Sequence, residues 1–306
     1  MGNEWMVGSG PDADFCTLQT AINAARGLGS EITIRIAKGT YREKVRVPAG
    51  VQVRLIGEGA ENTRIEWNDY ARKPHPDGQL FGTFRTPTLT IEADGVRMED
   101  LTVANVSGPR SSAGQAIALA VTGDMVRCER VILLGQQDTL FTGGTGHQYF
   151  HACRIEGDVD FIFGPASVVF DRCLVRSTGR GYITAASTPK TSEMGYLFWQ
   201  CRLLGPEEPS VYLGRPWRPY SSVTWVDTEM GAHIRPEGWD DWHDARNHET
   251  VRYREYGSFG PGARTSERVA WAAAEGREAL PTAWERASVL EQWGFAPLDQ
   301  GGTGTC

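Results

Sequence analysis

Between residues 96 and 203 apolar residues return in short clusters, with no helical period between them. Met98, Cys128, Phe150, Phe170 and Phe198 hold equivalent places in these clusters, 30, 22, 20 and 28 residues apart. Phe-x-x-Cys marks three of them, Phe150 to Cys153, Phe170 to Cys173 and Phe198 to Cys201, each read as lying inside one strand-like run. An irregular repeat of about 20 to 30 residues, made of strands alone, predicts the coils of a parallel β-helix. Leucine-rich repeats have a similar length, but their Leu-x-x-Leu-x-Leu pattern is missing. Strand-like runs also occur at 31–37, 51–56, 89–93 and 96–103, with turns at Gly57-Glu58-Gly59 and Asp94-Gly95.

Residues 15–25 put Leu18, Ile22 and Ala25 on one helical face. A helix there caps the open end of the coil, as a repeat array requires. Beyond 203 the pattern changes to Leu-Gly-Arg-Pro-Trp, a strand-like Ser-Val-Thr-Trp-Val and Gly-Trp-Asp-Asp-Trp. Two helical stretches, 268–274 and 284–293, are expected to pack along the coil. The expected architecture is all-β: a single parallel β-helix domain over residues 1–306, with an N-terminal capping helix and C-terminal helical segments.

Composition supports this picture and narrows the partners. The 36 glycines among 306 residues suit many tight turns, and no linker or low-complexity tract divides the chain. A net charge of −7 argues against a nucleic-acid partner, which needs a basic stripe. No apolar run is long enough to span a membrane, and the start, Met-Gly-Asn-Glu-Trp, lacks the pattern of a signal peptide. The chain is therefore read as intracellular or as a mature form without its leader.

The register carries the chemistry. Asp138 lies seven residues after Val131, and Asp160 seven after Cys153; Gly135 and Gly157 each precede their aspartate by three. If the coils stack in register, the two carboxylates emerge side by side on strands about 4.8 Å apart. Alone, either aspartate reads as a turn residue. As a pair in apolar surroundings they cannot both ionise cheaply, so one holds a proton beside a nucleophile or base. Retaining glycosidases and aspartate-nucleophile esterases both fit that separation. Gln115 and Gln137 are candidate oxyanion donors, although Gln115 alone also reads as an amide stacked between coils. Arg215 can hold one aspartate through its planar fork, and Trp217, Phe163 and Phe141 can line a groove for sugar rings.

Other residues read as structural. The Phe-x-x-Cys ladder is core, with Cys153 and Cys173 close enough on successive coils for a disulfide in an oxidised protein. His147 and His151 read as surface residues, not metal ligands. No Gly-x-Ser-x-Gly elbow is present.

Gly39-Thr40-Tyr41-Arg42-Glu43, Gly114-Gln115-Ala116-Ile117-Ala118, Gln137-Asp138-Thr139-Leu140, Asp160-Phe161-Ile162-Phe163-Gly164 and Leu213-Gly214-Arg215-Pro216-Trp217 together resemble the pectin methylesterases. The likeness keeps the family's order and continues through Gly238-Trp239 and Gly260-Pro261-Gly262. It implies a right-handed parallel β-helix that hydrolyses the methyl esters of pectin without a cofactor. It implies Asp160 as nucleophile, Asp138 as acid and then base, Gln115 and Gln137 as oxyanion donors, and Arg215 as the partner of Asp160. Trp217, Phe163, Val159 and Phe141 fall where the family contacts the sugar chain. Phe141 stands where the family commonly has Tyr, and His147 where Arg is frequent. A secreted monomer follows as the expectation for an enzyme of an extracellular polymer. The rival readings are a glycosidase or lyase on the same fold, and a non-catalytic carbohydrate-binding coil.

Overall fold

Each apolar cluster becomes a strand with alternate side chains turned inward, and the computed structural model describes residues 3–295. Successive strands pair in parallel. Met98, Cys128, Phe150, Phe170, Phe198 and Trp225 form one column of paired residues, the register expected from the repeat. Inside the coil the column becomes a ring stack, with centroids 5.2 Å apart for Phe150 and Phe170, 4.4 Å for Phe170 and Phe198, and 3.8 Å for Phe198 and Trp225.

Three faces surround this core. Among the described residues the first has eleven strands, from Glu4–Val7 to Ala273–Glu275. The second begins with Gly39–Tyr41 and runs through Thr63–Trp67, Thr102–Asn105 and Ile132–Leu134. The third begins with Val45–Val47 and runs through Leu89–Ile91, Leu119–Val121 and Leu140–Thr142. Two long strands, Arg154–Gly164 and Leu174–Ala186, pass from the second face to the third without a break. Parallel crossovers of this kind are right-handed, which makes the fold a right-handed parallel β-helix.

The corner between the first two faces corrects the sequence reading. Phe-x-x-Cys does not lie in one strand: His147–His151 ends before Cys153, and Arg154–Gly164 starts after it. The run 96–103 likewise divides into Arg97–Glu99 and Thr102–Asn105. One residue with positive φ makes each corner: Asp100, Arg130, Ala152, Arg172, Gln200 and Asp227 on successive coils. The residue two places before the corner and the one just after it, such as Phe150 and Cys153, both point into the core, so the apolar pattern runs through the bend. A single left-handed residue costs roughly 1–2 kcal/mol and demands neither Gly nor Pro. Nothing in the composition marks it.

The capping helix is Leu18–Ala24, with Leu18, Ala21 and Ile22 buried over the coil end. The Thr17 hydroxyl accepts from the Thr20 N–H at 3.3 Å. Glu43 accepts from the free N–H groups of Leu18 at 2.9 Å and Gln19 at 3.1 Å, so the acid ending Gly39-Thr-Tyr-Arg-Glu43 ties the cap to the first coil. At the other end the expected helix 284–293 is Arg286–Gln292, whose Val289 and Leu290 cover Tyr149, Val169 and Leu197 on the first face. The expected helix 268–274 is absent. Its last residues form strand Ala273–Glu275, paired with Arg252–Tyr256. The Arg268 guanidinium is buried on Glu255 at 2.7 Å and on the carbonyl of Gly262 at 2.9 Å, so pairing to an open sheet edge overrides a weak local period.

The cysteine and histidine expectations also change. Cys153 and Cys173 are free thiols that donate to the carbonyls of Cys128 and Phe150, both at 3.4 Å, so the expected disulfide is absent. The sixth cysteine, Cys306, lies outside the described residues. His151 is no loose surface group: its Nδ1 lies 2.9 Å from buried Asp171, which also accepts from Tyr149 at 2.7 Å and Arg286 at 2.8 Å. His147 is half-exposed and packs on Trp293, ring centroids 4.5 Å apart.

His233 gives the fold a pH dependence. It is 1% exposed beneath the backbone of Gly205 and Gly231, and burial pulls its imidazole down to about 4. The unfolded chain takes up a proton near 6.5. Between those values the unfolded state binds more protons, so stability falls as pH drops through the window, by about 3 kcal/mol in all. Urea unfolding of His233→Gln at about pH 7 and about pH 4 is expected to lack this difference. A wild-type slope in the variant would assign the acid sensitivity elsewhere.

Candidate active site

The second corner of the coil, between faces two and three, brings the acids together. Ile132 pairs with Arg154 before it and Leu140 with Ile162 after it, which sets Asp138 against Asp160 on adjacent coils. Both take left-handed backbone, φ 66° and 50°, a conformation that aspartate tolerates better than most residues. The Asp138 N–H donates to the Val159 carbonyl at 3.1 Å, locking the two corners to each other. A Cβ at Gly157 would overlap the Phe161 side chain and the Gln136 carbonyl, so this tight bend excludes any larger residue.

Arg215 arrives from the third face. It follows strand Val211–Gly214, and its N–H donates to the Thr184 carbonyl at 3.0 Å. From there the guanidinium reaches Asp160 with both arms, Nε to Oδ1 at 2.9 Å and Nη2 to Oδ2 at 2.7 Å. The Asp138 carboxyl accepts no hydrogen bond among the described residues.

This asymmetry sorts the acids. Burial pushes the Asp138 carboxyl well above the usual range, and the neighbouring Asp160 pushes it further. Burial raises Asp160 too, but the bonds and charge of Arg215 pull against it. Asp138 therefore keeps its proton to higher pH than Asp160. The pair titrates as a unit, with the first proton leaving on the Arg215 side.

A cleft of about 280 Å³ opens over the pair, lined by Gln115, Gln137, Asp138, Asp160, Phe163, Arg215 and Trp217. The side-chain amides of Gln115 and Gln137 have no hydrogen-bond partner among the described residues. Phe141 packs behind the opening, 5.0 Å from Phe163 and 5.1 Å from Phe84. Val159 does not line the cleft; it is buried, with its carbonyl engaged by Asp138. An acid, an anion and two unoccupied N–H donors facing one space suit acyl transfer.

The pectinesterase family profile matches residues 4–285. The chain belongs to the pectinesterase family. It is an ester hydrolase that de-esterifies pectin. The chain is 37% identical over 266 residues to pectinesterase 31 of Arabidopsis thaliana, covering 84% of this chain and 83% of that one. Among solved structures it resembles pectin methylesterase from carrot, TM-score 0.83 and 28% identity, covering 96% and 97% of the two chains. A pectin methylesterase in complex with a hexasaccharide matches equally well, TM-score 0.83 and 28% identity over 94% and 97%.

Several residues of this pectinesterase cleft escaped the sequence reading. Thr83 and Phe84 enter from the loop before strand Leu89–Ile91, and Phe84 is 58% exposed. Trp242 enters from the far wall. Tyr182, one coil beyond Asp160, stacks under Arg215. The loop before Leu89 has no periodicity to read, whereas Trp242 belongs to the Gly-Trp-Asp-Asp-Trp stretch that stands out in the sequence.

Proposed function

We propose that this chain releases methanol from methyl-galacturonate units of pectin through a covalent acyl intermediate on Asp160. The observation that carries the reading is the two-armed hold of Arg215 on Asp160 beside Asp138, which has no cation bonded to it. Asp160, kept anionic and aimed, attacks the ester carbonyl. The oxygen that becomes negative is met by the N–H groups of Gln115 and Gln137, which have no partner to give up. The bond to methoxide breaks as Asp138 donates its proton, and methanol leaves. Asp138, now a carboxylate, takes a proton from water as that water attacks the acyl carbon. Asp160 departs with its electrons, and Asp138 is reprotonated for the next cycle.

Trp217, Phe163 and Phe141 form the apolar bed for the C–H faces of sugar rings, and Val159 acts on it only by holding the Asp138 backbone. The enzyme acts as a secreted monomer, because pectin is a polymer outside the cell and this site draws all its parts from one chain. No helix among the described residues is long and apolar enough to cross a membrane.

Highly methylated pectin incubated with the enzyme is expected to yield methanol with no new reducing ends and no ultraviolet-absorbing unsaturated product. Chain scission would transfer the site to a glycosidase or lyase. Binding without methanol would leave only a carbohydrate-binding coil.

A further inference from the structure

Arg215 does more than reach Asp160; it is itself held. Its guanidinium carbon lies 3.8 Å from the ring centroid of Tyr182 and 3.8 Å from that of Trp242. Tyr182 is backed in turn by Tyr212, the rings 5.3 Å apart and within 9° of parallel, and Arg235 lies 4.8 Å beyond Tyr212. The outer plate, Trp242, sits on a strained loop. Trp242 and His243 are consecutive bulky residues at φ 59° and 57°. Two aspartates impose this conformation, Asp240 accepting from the Trp242 N–H at 2.8 Å and Asp241 from the His243 N–H at 2.9 Å. Asp241 is further fixed by His248 at 3.1 Å, whose ring stacks on Trp271 at 4.9 Å. Backbone strain persists where surrounding contacts over-determine it, and here it sets an indole on a catalytic guanidinium.

We propose that Tyr182 and Trp242 are positioning residues for the esterase reaction, clamping Arg215 between two aromatic faces so that both its arms stay aimed at Asp160. The inference rests on the catalytic roles proposed above. An arginine on a flexible stem has many rotamers, and two stacked faces confine the guanidinium to one plane. Tyr182 is not among the residues lining the cleft, and its direct contact with the catalytic group is the stack on Arg215. Trp242 also faces the cleft and contributes to substrate binding.

The test compares kcat, KM and the acid limb of the kcat profile in Tyr182→Leu and Tyr182→Phe, with Trp242→Leu as the outer-face counterpart. The charged and titratable groups around the pair are Asp138, Asp158, Asp240, Arg110, Arg215 and Tyr182; the substitutions leave every charged one in place, and Tyr182, pushed up by burial, is neutral on the acid limb. Tyr182→Leu is expected to lower kcat by about 100-fold, the scale of a misplaced catalytic group, with KM little changed. Its acid limb moves to higher pH, because Asp160 ionises less readily when Arg215 is loosely held. Tyr182→Phe restores both values. Trp242→Leu repeats the shift of the limb while raising KM, and it carries the test if Tyr182→Leu does not fold. A folded leucine variant with wild-type kcat and an unmoved limb overturns the clamp. Activity surviving in Asp160→Asn would instead overturn the catalytic roles on which the clamp depends.

Discussion

Methanol release is expected to fall by more than about 10,000-fold in Asp160→Asn, because on the proposed route losing the nucleophile leaves only binding and the oxyanion donors. The variant is also less stable. In the wild type Asp160 accepts two charge-assisted bonds from Arg215 at 2.9 and 2.7 Å, with the Asp160 side chain 8% exposed. An amide cannot accept both, and leaving a half-buried guanidinium short of its counter-charge costs about 3 kcal/mol. Coupled measurement of methanol release and urea unfolding checks both effects. Retained turnover would exclude Asp160 as the attacking group.

Asp138→Asn also loses turnover, by about 1,000-fold, the usual contribution of a general acid and base. Its stability moves the other way. Asp138 is buried and has no bonded partner among the described residues, and burial and Asp160 push its carboxyl well above the usual range. Its folded pKa lies above the unfolded value, so the folded state binds more protons in the interval between them. Stability contributed by the neutral carboxyl is complete below the unfolded pKa and is lost as pH rises toward the folded one. The asparagine has no such loss, and unfolding at neutral pH is expected to show a variant as stable as the wild type or more so. A variant less stable than wild type at neutral pH would mean that Asp138 has a structural partner. On the proposed route the two acids are expected to give kcat a bell-shaped profile, failing at low pH as Asp160 protonates and at high pH as Asp138 loses its proton.

The pH behaviour of the fold runs partly against that of Asp138. His233 makes the chain weaker toward acid, while Asp138 makes it weaker toward neutrality. Substituting each singly separates the two slopes.

Much of the site was legible because a stacked coil repeats its inward positions. Met98, Cys128, Phe150, Phe170 and Phe198 repeat along the chain at the spacing that stacks them, and the same register sets Asp138 beside Asp160. Arg215 was nameable from its motif, but its aim required the third face to fold back over the corner. Phe84 and Trp242 were not legible as cleft walls. Each lies on a loop, and its place depends on packing against residues distant in the chain, Phe141 for one and Arg215 for the other.

By itself the sequence determined the strand register, the pairing of the two acids and the family. All three depend on residue order and spacing, which stacking converts directly into proximity. Tertiary structure alone decided where each coil turns, since a left-handed corner residue leaves no mark in composition. It decided that 268–274 pairs as strand at a sheet edge instead of winding as helix, and that the Cys153 and Cys173 thiols donate to carbonyls instead of bonding to each other. It also decided that Arg215 is gripped between Tyr182 and Trp242. Those outcomes depend on what lies across the coil, which residue spacing along the chain does not record.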